Sequence, residues 1–477
     1  MTERLVSRRS LLKGLVSGAG LATAGCLFHG NDGRRAAGPP VGPTPTFLRP
    51  SRAIPTSGSG AGSLPYPLLT PGADTLPQVE HIVVLMMENH SYDNYFGMLG
   101  RGDGFSLDAD GLPTATNPGA DGKPVLATHA SDLCQSGGGV KQSWDASHAA
   151  YDGGRNDGFV RASSAQAMWY WDRADLPFYY ALASTFPVCD RYFCSVLGQT
   201  DPNRRFLQAG SAFGQVNDAT PSLSAPPPPN GTIFDSLSAH GISWKNYFVD
   251  TPSTALFPYQ VARYAGNIVA ASTFLADAAR GTLPSVSLVD PQFAEGSEES
   301  PQDIAVGAAY ASVIINAVLA GPAWPKTMLI LTYDEHGGYY DHVAPPAAVP
   351  PDGIAPSIAV PPDAPGSYDR YGFRVPAVIV SPWAKADYVS HVVHDHTSIL
   401  KLIETKWNLP ALSARDAAAD DLLDSVNFGA SSPPFLTPPK LPGPNLSAVN
   451  LNCLSASSAK LASILASIPG VPALVPP

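Results

Sequence analysis

Two stretches of the chain combine residue types that could hold a cation and handle a phosphoryl group. His81 to Gly97 reads H-I-V-V-L-M-M-E-N-H-S-Y-D-N-Y-F-G, and Thr327 to His342 reads T-M-L-I-L-T-Y-D-E-H-G-G-Y-Y-D-H. In each, an unbroken apolar run turns polar within one or two residues. The first run meets Glu88-Asn89, the second Asp334-Glu335-His336. Neighbouring carboxylates repel, so in a shared cleft they need a cation or a proton. Glu88, Asn89, Asp334 and Glu335 are hard oxygen ligands and His336 adds an imidazole. That set suits a divalent metal, with Ca, Mg, Mn and Zn all conceivable. One such junction is ordinary turn chemistry; two of the same kind point to a site.

A nucleophile is offered by Gly198-Gln199-Thr200-Asp201-Pro202-Asn203-Arg204-Arg205. Pro202 suits the first turn of a helix, which puts Thr200 and Asp201 at its N-terminus. Free N–H groups and a partial positive charge there favour both a Thr200 alkoxide and an incoming phosphate. The Arg204 fork is a further phosphate-binding candidate. Among the histidines, His336 and His396 are expected to be functional. His342 and His148 are candidate phosphate-binding groups, while His391 and His394 read as surface or loop.

Strands and helices must bring these residues together. Strand-like runs at Ile82–Met87, Ile242–Phe248, Ser285–Val289, Thr327–Tyr333 and Ala377–Ser381 alternate with helical stretches. The helical candidates are Leu176–Ser184, Pro202–Phe213, Ile233–Ala239, Ile304–Ala320 and Thr397–Trp407. Such alternation argues for a mostly parallel sheet covered on both faces, where ligand groups collect at the carboxyl ends of strands. The aromatics Trp169-Tyr170-Trp171 and Phe178-Tyr179-Tyr180 either line an apolar substrate cleft or belong to the core.

The chain has 477 residues and a formal net charge of -11, which argues against general nucleic-acid binding. Its first 28 residues resemble a twin-arginine export signal, with Arg8-Arg9 ahead of an uncharged stretch. Ala22-Thr23-Ala24 offers an ordinary cleavage site. Ala24-Gly25-Cys26 resembles the end of a lipoprotein box, which would make Cys26 a membrane tether. Either route takes the protein out of the cytoplasm, to the periplasm, the cell envelope or the medium. Residues 29–77 read as a Pro/Gly/Ser-rich linker, 78–428 as the folded domain and 429–477 as a Pro/Ser/Ala-rich tail. Cys134, Cys189, Cys194 and Cys453 permit two disulfides in three ways.

Taken together, these residues resemble the bacterial phosphoesterase family of non-specific phospholipases C and acid phosphatases. The signature E-N-x-S-[FY]-D-x-Y-F-G is met by Glu88–Gly97, and T-[DQ]-P-N-R by Thr200–Arg204. T-Y-D-E-H-G-G-x-Y-D-H-V is met by Thr332–Val343, and D-H-T-S with a later W-N-L by Asp395–Leu409. The resemblance implies an alkaline-phosphatase-like three-layer α/β/α sandwich. It implies a metal held by Glu88, Asn89, Asp334 and Glu335, with Thr200 as nucleophile. His336 and His396 would protonate the leaving oxygen or bind phosphate. The substrate would be a phospholipid cut in phospholipase C fashion. A soluble phosphomonoester is the alternative, and a binding member without turnover a second. Two departures stand out. Gln142-Ser143-Trp144 replaces a frequent His-Ser-Trp, and Glu298-Glu299-Ser300-Pro301 lacks the family His.

Overall fold

An apolar run without alternation must lose both faces to the interior. The strand His81–Met87 (β1) does so, with every residue after His81 buried. The computed structural model describes residues 60–294 and 296–448. Among them the main sheet adds Val188–Cys189 (β2), Trp244–Phe248 (β3), Ile268–Ala270 (β4), Val286–Val289 (β5), Thr327–Tyr333 (β6), Ala377–Val380 (β7) and Val389–Ser390 (β8). Their spatial order is β8-β2-β7-β6-β1-β5-β3-β4. Only β7 runs against its neighbours, β6 and β2; the other pairs are parallel.

The principal helices are Tyr92–Phe96 (α1), Trp144–Tyr151 (α2), Pro177–Thr185 (α3), Thr200–Ala209 (α4), Ile233–Ala239 (α5), Ala271–Arg280 (α6), Ile304–Ala320 (α7), His396–Trp407 (α8) and Ala414–Ala418 (α9). One set packs around α7, which touches α3 and α6. The other runs from α5 through α4 and α8 to α9. With the central strands buried on both faces, the two sets are the outer layers of the expected α/β/α sandwich.

Register then decides where chemistry can happen. β1 and β6 pair from His81–Thr327 to Met87–Tyr333, so the two strands end level. Neighbouring strands lie about 4.8 Å apart. Glu88-Asn89 and Asp334-Glu335 therefore leave the sheet side by side. On the other flank of β1, Leu85 faces Val289, which brings Asp290 to the same edge.

Several expectations change. The helix expected over Pro202–Phe213 begins two residues earlier and stops before Gly210, whose left-handed backbone (φ 70) ends it. The aromatic pair of clusters is core: Trp171, Phe178, Tyr179 and Tyr180 are all buried, so they cannot line a cleft mouth. His394 is buried rather than at the surface, with Nε2 3.3 Å from Asp424. The end of the expected linker is docked on the domain. Asn408, the left-handed C-cap of α8, accepts the Tyr66 N–H at 2.9 Å and donates to the Leu69 carbonyl at 2.8 Å. Part of the expected tail is docked too, since the Phe435 ring packs at a tilt against Phe186 with centroids 4.8 Å apart. Cys134 is disulfide-bonded, whereas Cys189 and Cys194 are free and buried, so the two-disulfide arrangement does not form. The export signal and Cys26 lie outside the described residues.

Candidate active site

The two strand ends meet backbone to backbone. Asn89 adopts a left-handed conformation (φ 71), and a Cβ on Gly337 would fall 1.9 Å from the Asn89 carbonyl oxygen. Only glycine fits there; at Gly338 a Cβ would fall 2.6 Å from the Lys141 backbone N and O, so the second glycine is required by a different neighbour. The Asn89 N–H donates to Asp334 Oδ1 at 3.1 Å, closing the junction.

The side chains converge as the backbone does. The Asn89 amide oxygen lies 3.2 Å from Asp334 Oδ1 and closer still to Glu335 Oε1. Thr200 Oγ1 stands 3.4 Å from the same amide oxygen. With the amide oxygen in that place three acceptor oxygens face one another; with the amide turned, its NH2 donates to both carboxylates. Either the amide turns its NH2 toward the carboxylates, or a cation sits among the oxygens. Burial, and then the charge of Asp334, push the Glu335 carboxyl well above its usual range. A hard divalent cation relieves both strains, so the donor set fits such an ion. Glu88 is buried at the same strand end, its N–H on the Ser297 carbonyl at 3.1 Å.

Thr200 is the first residue of α4 and is buried. Asp218 caps this helix start, accepting the Asp201 N–H at 2.8 Å and the Gln199 side-chain amide at 3.0 Å. Nothing in the sequence marked Asp218 for that place.

Arg204 is fully consumed by the scaffold. Its Nε donates to Asp334 Oδ2 at 2.9 Å. Its Nη2 donates to the Met86 and Met87 carbonyls at 3.2 and 3.0 Å, and its Nη1 reaches Ser253 at 3.5 Å. Asp290 stands 3.7 Å away. The guanidinium thus fixes the end of β1 and orients Asp334, and is not turned toward an incoming phosphate. His396 is likewise occupied. Its Nε2 donates to the Asp334 carbonyl at 2.7 Å, and Nδ1 lies 3.3 Å from the Tyr192 hydroxyl. In this arrangement it positions Asp334.

His336 differs. Its Nδ1 is 3.2 Å from Glu335 Oε2, and its Nε2 has no protein partner. The ring packs 4.6 Å from Phe373, and burial lowers its pKa to about 3, so it is neutral at physiological pH.

The remaining two candidates are not brought into this network. His342 Nδ1 contacts Asp93 Oδ2 at 2.7 Å and its Nε2 contacts Asp103 at 3.2 Å. Burial opposes its charge, but the Asp93 hydrogen bond and the Asp93 and Asp341 charges prevail and push it up to about 9. Asp93, Asp341 and His342 are close enough for a metal, yet Arg374 bonds both carboxylates at 2.9 Å. This knot is satisfied without a cation. His148 stands on α2 beside Trp144, on the wall of a cavity of about 410 Å³ that Leu197, Asp145 and Asp369 also line.

The Glu298-Glu299-Ser300 segment, where the family His is missing, has its own logic. Glu298 accepts hydroxyl hydrogen bonds from Tyr95, Tyr179 and Tyr333 at 2.8, 2.6 and 2.7 Å. Burial raises its pKa to about 7, against the pull of those three hydroxyls.

A model of the Phosphoesterase family matches residues 79–410. Phospholipase C A of Mycobacterium tuberculosis is 32% identical over 466 residues, covering 84% of this chain and 87% of that protein. Phospholipase C B of the same organism is 34% identical over 422 residues, covering 77% and 80%. Non-hemolytic phospholipase C of Pseudomonas aeruginosa is 32% identical over 401 residues, covering 74% and 58%. Among solved structures, an alkaline phosphatase superfamily protein from Vibrio parahaemolyticus aligns with a TM-score of 0.38 and 9% identity over 75% of this chain and 72% of that one.

Proposed function

Because the chain belongs to the phosphoesterase family, and is thereby a hydrolase of phosphoric ester bonds, we propose that it is a metal-dependent phospholipase C with Thr200 as its nucleophile. The observation that carries this reading is the Thr200 hydroxyl at 3.4 Å from the Asn89 side-chain amide, which itself lies against the carboxylates of Asp334 and Glu335. Asn89, Asp334 and Glu335, joined by Glu88, would hold a divalent cation, which when bound supplies Lewis acidity to the phosphoryl oxygens and lowers the pKa of a nearby hydroxyl.

The residues of the chain do the rest. Thr200 Oγ bonds to phosphorus as the glycerol-side P–O bond breaks, and diacylglycerol leaves with a proton. Thr200 then carries the phosphorylated headgroup as an ester. Water adds to that phosphorus, the bond to Thr200 breaks, and the hydroxyl regains its proton as the phosphorylated headgroup departs. Nε2 of His336, buried and without a protein hydrogen-bond partner, is the imidazole nitrogen assigned to these proton transfers. Arg204 and His396 hold Asp334 in place while this happens. Arg8-Arg9 and Cys26 extend the proposal to export by the twin-arginine route, with a lipid anchor at Cys26 or cleavage after Ala24.

The test sets phosphatidylcholine and phosphatidylethanolamine against a soluble phosphomonoester, using metal-depleted and metal-restored protein. Diacylglycerol release from either lipid, lost on depletion and regained on restoration, is the expected outcome. Strong monoester turnover across pH ~5 to 8, the range in which histidine changes charge, with no diacylglycerol would make the protein an acid phosphatase. No turnover of any ester would leave a binding member of the family.

A further inference from the structure

Two proline-rich loops of the domain are nearly without charge. Residues 219–231, A-T-P-S-L-S-A-P-P-P-P-N-G, hold no charged group, and residues 343–362, V-A-P-P-A-A-V-P-P-D-G-I-A-P-S-I-A-V-P-P, hold only Asp352. That carboxylate is folded back: Oδ1 accepts the Ile354 N–H at 2.7 Å and Oδ2 is shut off from solvent. The same loops expose aliphatic side chains, Leu223 at 65%, Val360 at 56%, Val349 at 43% and Ile354 at 42%. Scattered apolar residues on a surface are ordinary, but an uncharged rim that carries several is not. The exposed Leu107, Leu112 and Leu126 make the contrast, because Asp108, Asp110, Asp121 and Lys123 are interleaved with them.

Both loops hang from the segment that caps the reactive helix. Ser357 donates to the Gly214 carbonyl at 2.7 Å. A Cβ built at Gly214 would lie 3.6 Å from a methyl group of Ile354. Four residues on, Asp218 holds the start of α4 beside Thr200. Four residues span at most about 14 Å, so the anchor of the longer loop at Gly214 lies within that reach of the residue that caps α4. The second loop reaches the same neighbourhood: Asn230 donates to the Leu412 carbonyl at 2.8 Å, while Ala414 donates to the Pro351 carbonyl of the first at 2.9 Å.

Charge selects the occupant. No Lys or Arg occurs between Arg205 and Lys245, or between Lys326 and Arg370. Attraction to an anionic leaflet requires free cations at the surface; the loops carry none of their own, and the arginines that reach them are spent on their backbone, Arg370 on the Pro345 carbonyl and the buried Arg415 on that of Val349. The aliphatic groups of the loops gain instead by leaving water for the acyl region, and the prolines limit the freedom lost on docking. We infer that residues 219–231 and 343–362 form a rim that seats the protein on a zwitterionic phospholipid surface next to Thr200. This deepens the phospholipase reading and rests on it for the choice of lipid as partner.

The test uses the full chain, phosphatidylcholine vesicles and a water-soluble chromogenic phosphorylcholine diester. A quadruple variant, Leu223→Ser with Val349→Ser, Val360→Ser and Ile354→Ser, alters exposed side chains only, and its melting curve reports that it has folded. Wild-type protein is expected to co-sediment with the vesicles at low and high salt alike. The variant's bound fraction is expected to fall at least ten-fold, with vesicle-lipid hydrolysis falling in step and soluble-diester turnover unchanged. In parallel, Ile354→Trp is expected to shift its emission to the blue on adding vesicles. Retained vesicle binding by the quadruple variant overturns the inference, as does wild-type binding that needs anionic lipid and disappears in salt. A wild type that turns over neither ester refutes the phospholipase reading alone, because vesicle binding is measured independently of turnover.

Discussion

Thr200→Ala is expected to lower turnover by roughly ten-thousand-fold or more, the scale seen when a covalent nucleophile is removed. The substitution deletes one hydroxyl and one methyl at the first position of α4. The first-turn contacts made by Asp218, to the Asp201 N–H and the Gln199 amide, involve neither group. Asn89, Asp334 and Glu335 also remain, so metal content and melting temperature should hold near wild type. Thr200→Ser restores a hydroxyl at the same place and is expected to recover measurable rate. A Thr200→Ala protein that keeps a tenth of the wild-type rate would mean that water attacks phosphorus directly.

Asp334→Ala is expected to fail twice. It removes a carboxylate from the oxygen set that faces Asn89, so elemental analysis should find the cation gone. It also strips Arg204 of its 2.9 Å partner while the guanidinium stays fully buried. Breaking a buried pair by removing one member costs about 3–5 kcal/mol. Melting curves should therefore drop even in metal-free buffer. Asp334→Asn keeps the shape and separates the two effects, since an amide oxygen can still accept from Arg204 Nε. Added metal should stabilise the wild type by mass action and neither variant. Full metal occupancy in Asp334→Ala would remove Asp334 from the binding set.

The sheet was legible because its physics is local. Ile82–Met87 and Thr327–Tyr333 are apolar without alternation, which strands buried on both faces require, and both end abruptly in acid. That the two end level was not legible, because register follows from the pairing of His81 with Thr327 across the whole domain. The short strands Val188–Cys189, Ile268–Ala270 and Val389–Ser390 carried too few residues to show a period. The place of Thr200 at a helix start was legible through Pro202, a residue that belongs in a first helical turn. The partners of Arg204 were not legible for a physical reason: a fork that fits phosphate fits Asp334 and two strand-end carbonyls equally well. Nor was it legible that a backbone carbonyl would take the His396 proton. The aromatics were legible as bulk, but not that Tyr179 would point its hydroxyl at Glu298.

The central claim is that the phosphorus of the substrate is passed to Thr200 before it reaches water, and the stereochemical course at phosphorus tests this most directly. A phosphorothioate phospholipid of one configuration would be hydrolysed in heavy-oxygen water and the configuration of the released thiophosphate headgroup determined. Two successive in-line displacements, first by Thr200 and then by water, each invert, so net retention is the expected result. Net inversion would mean a single displacement by water, and would contradict a Thr200 ester.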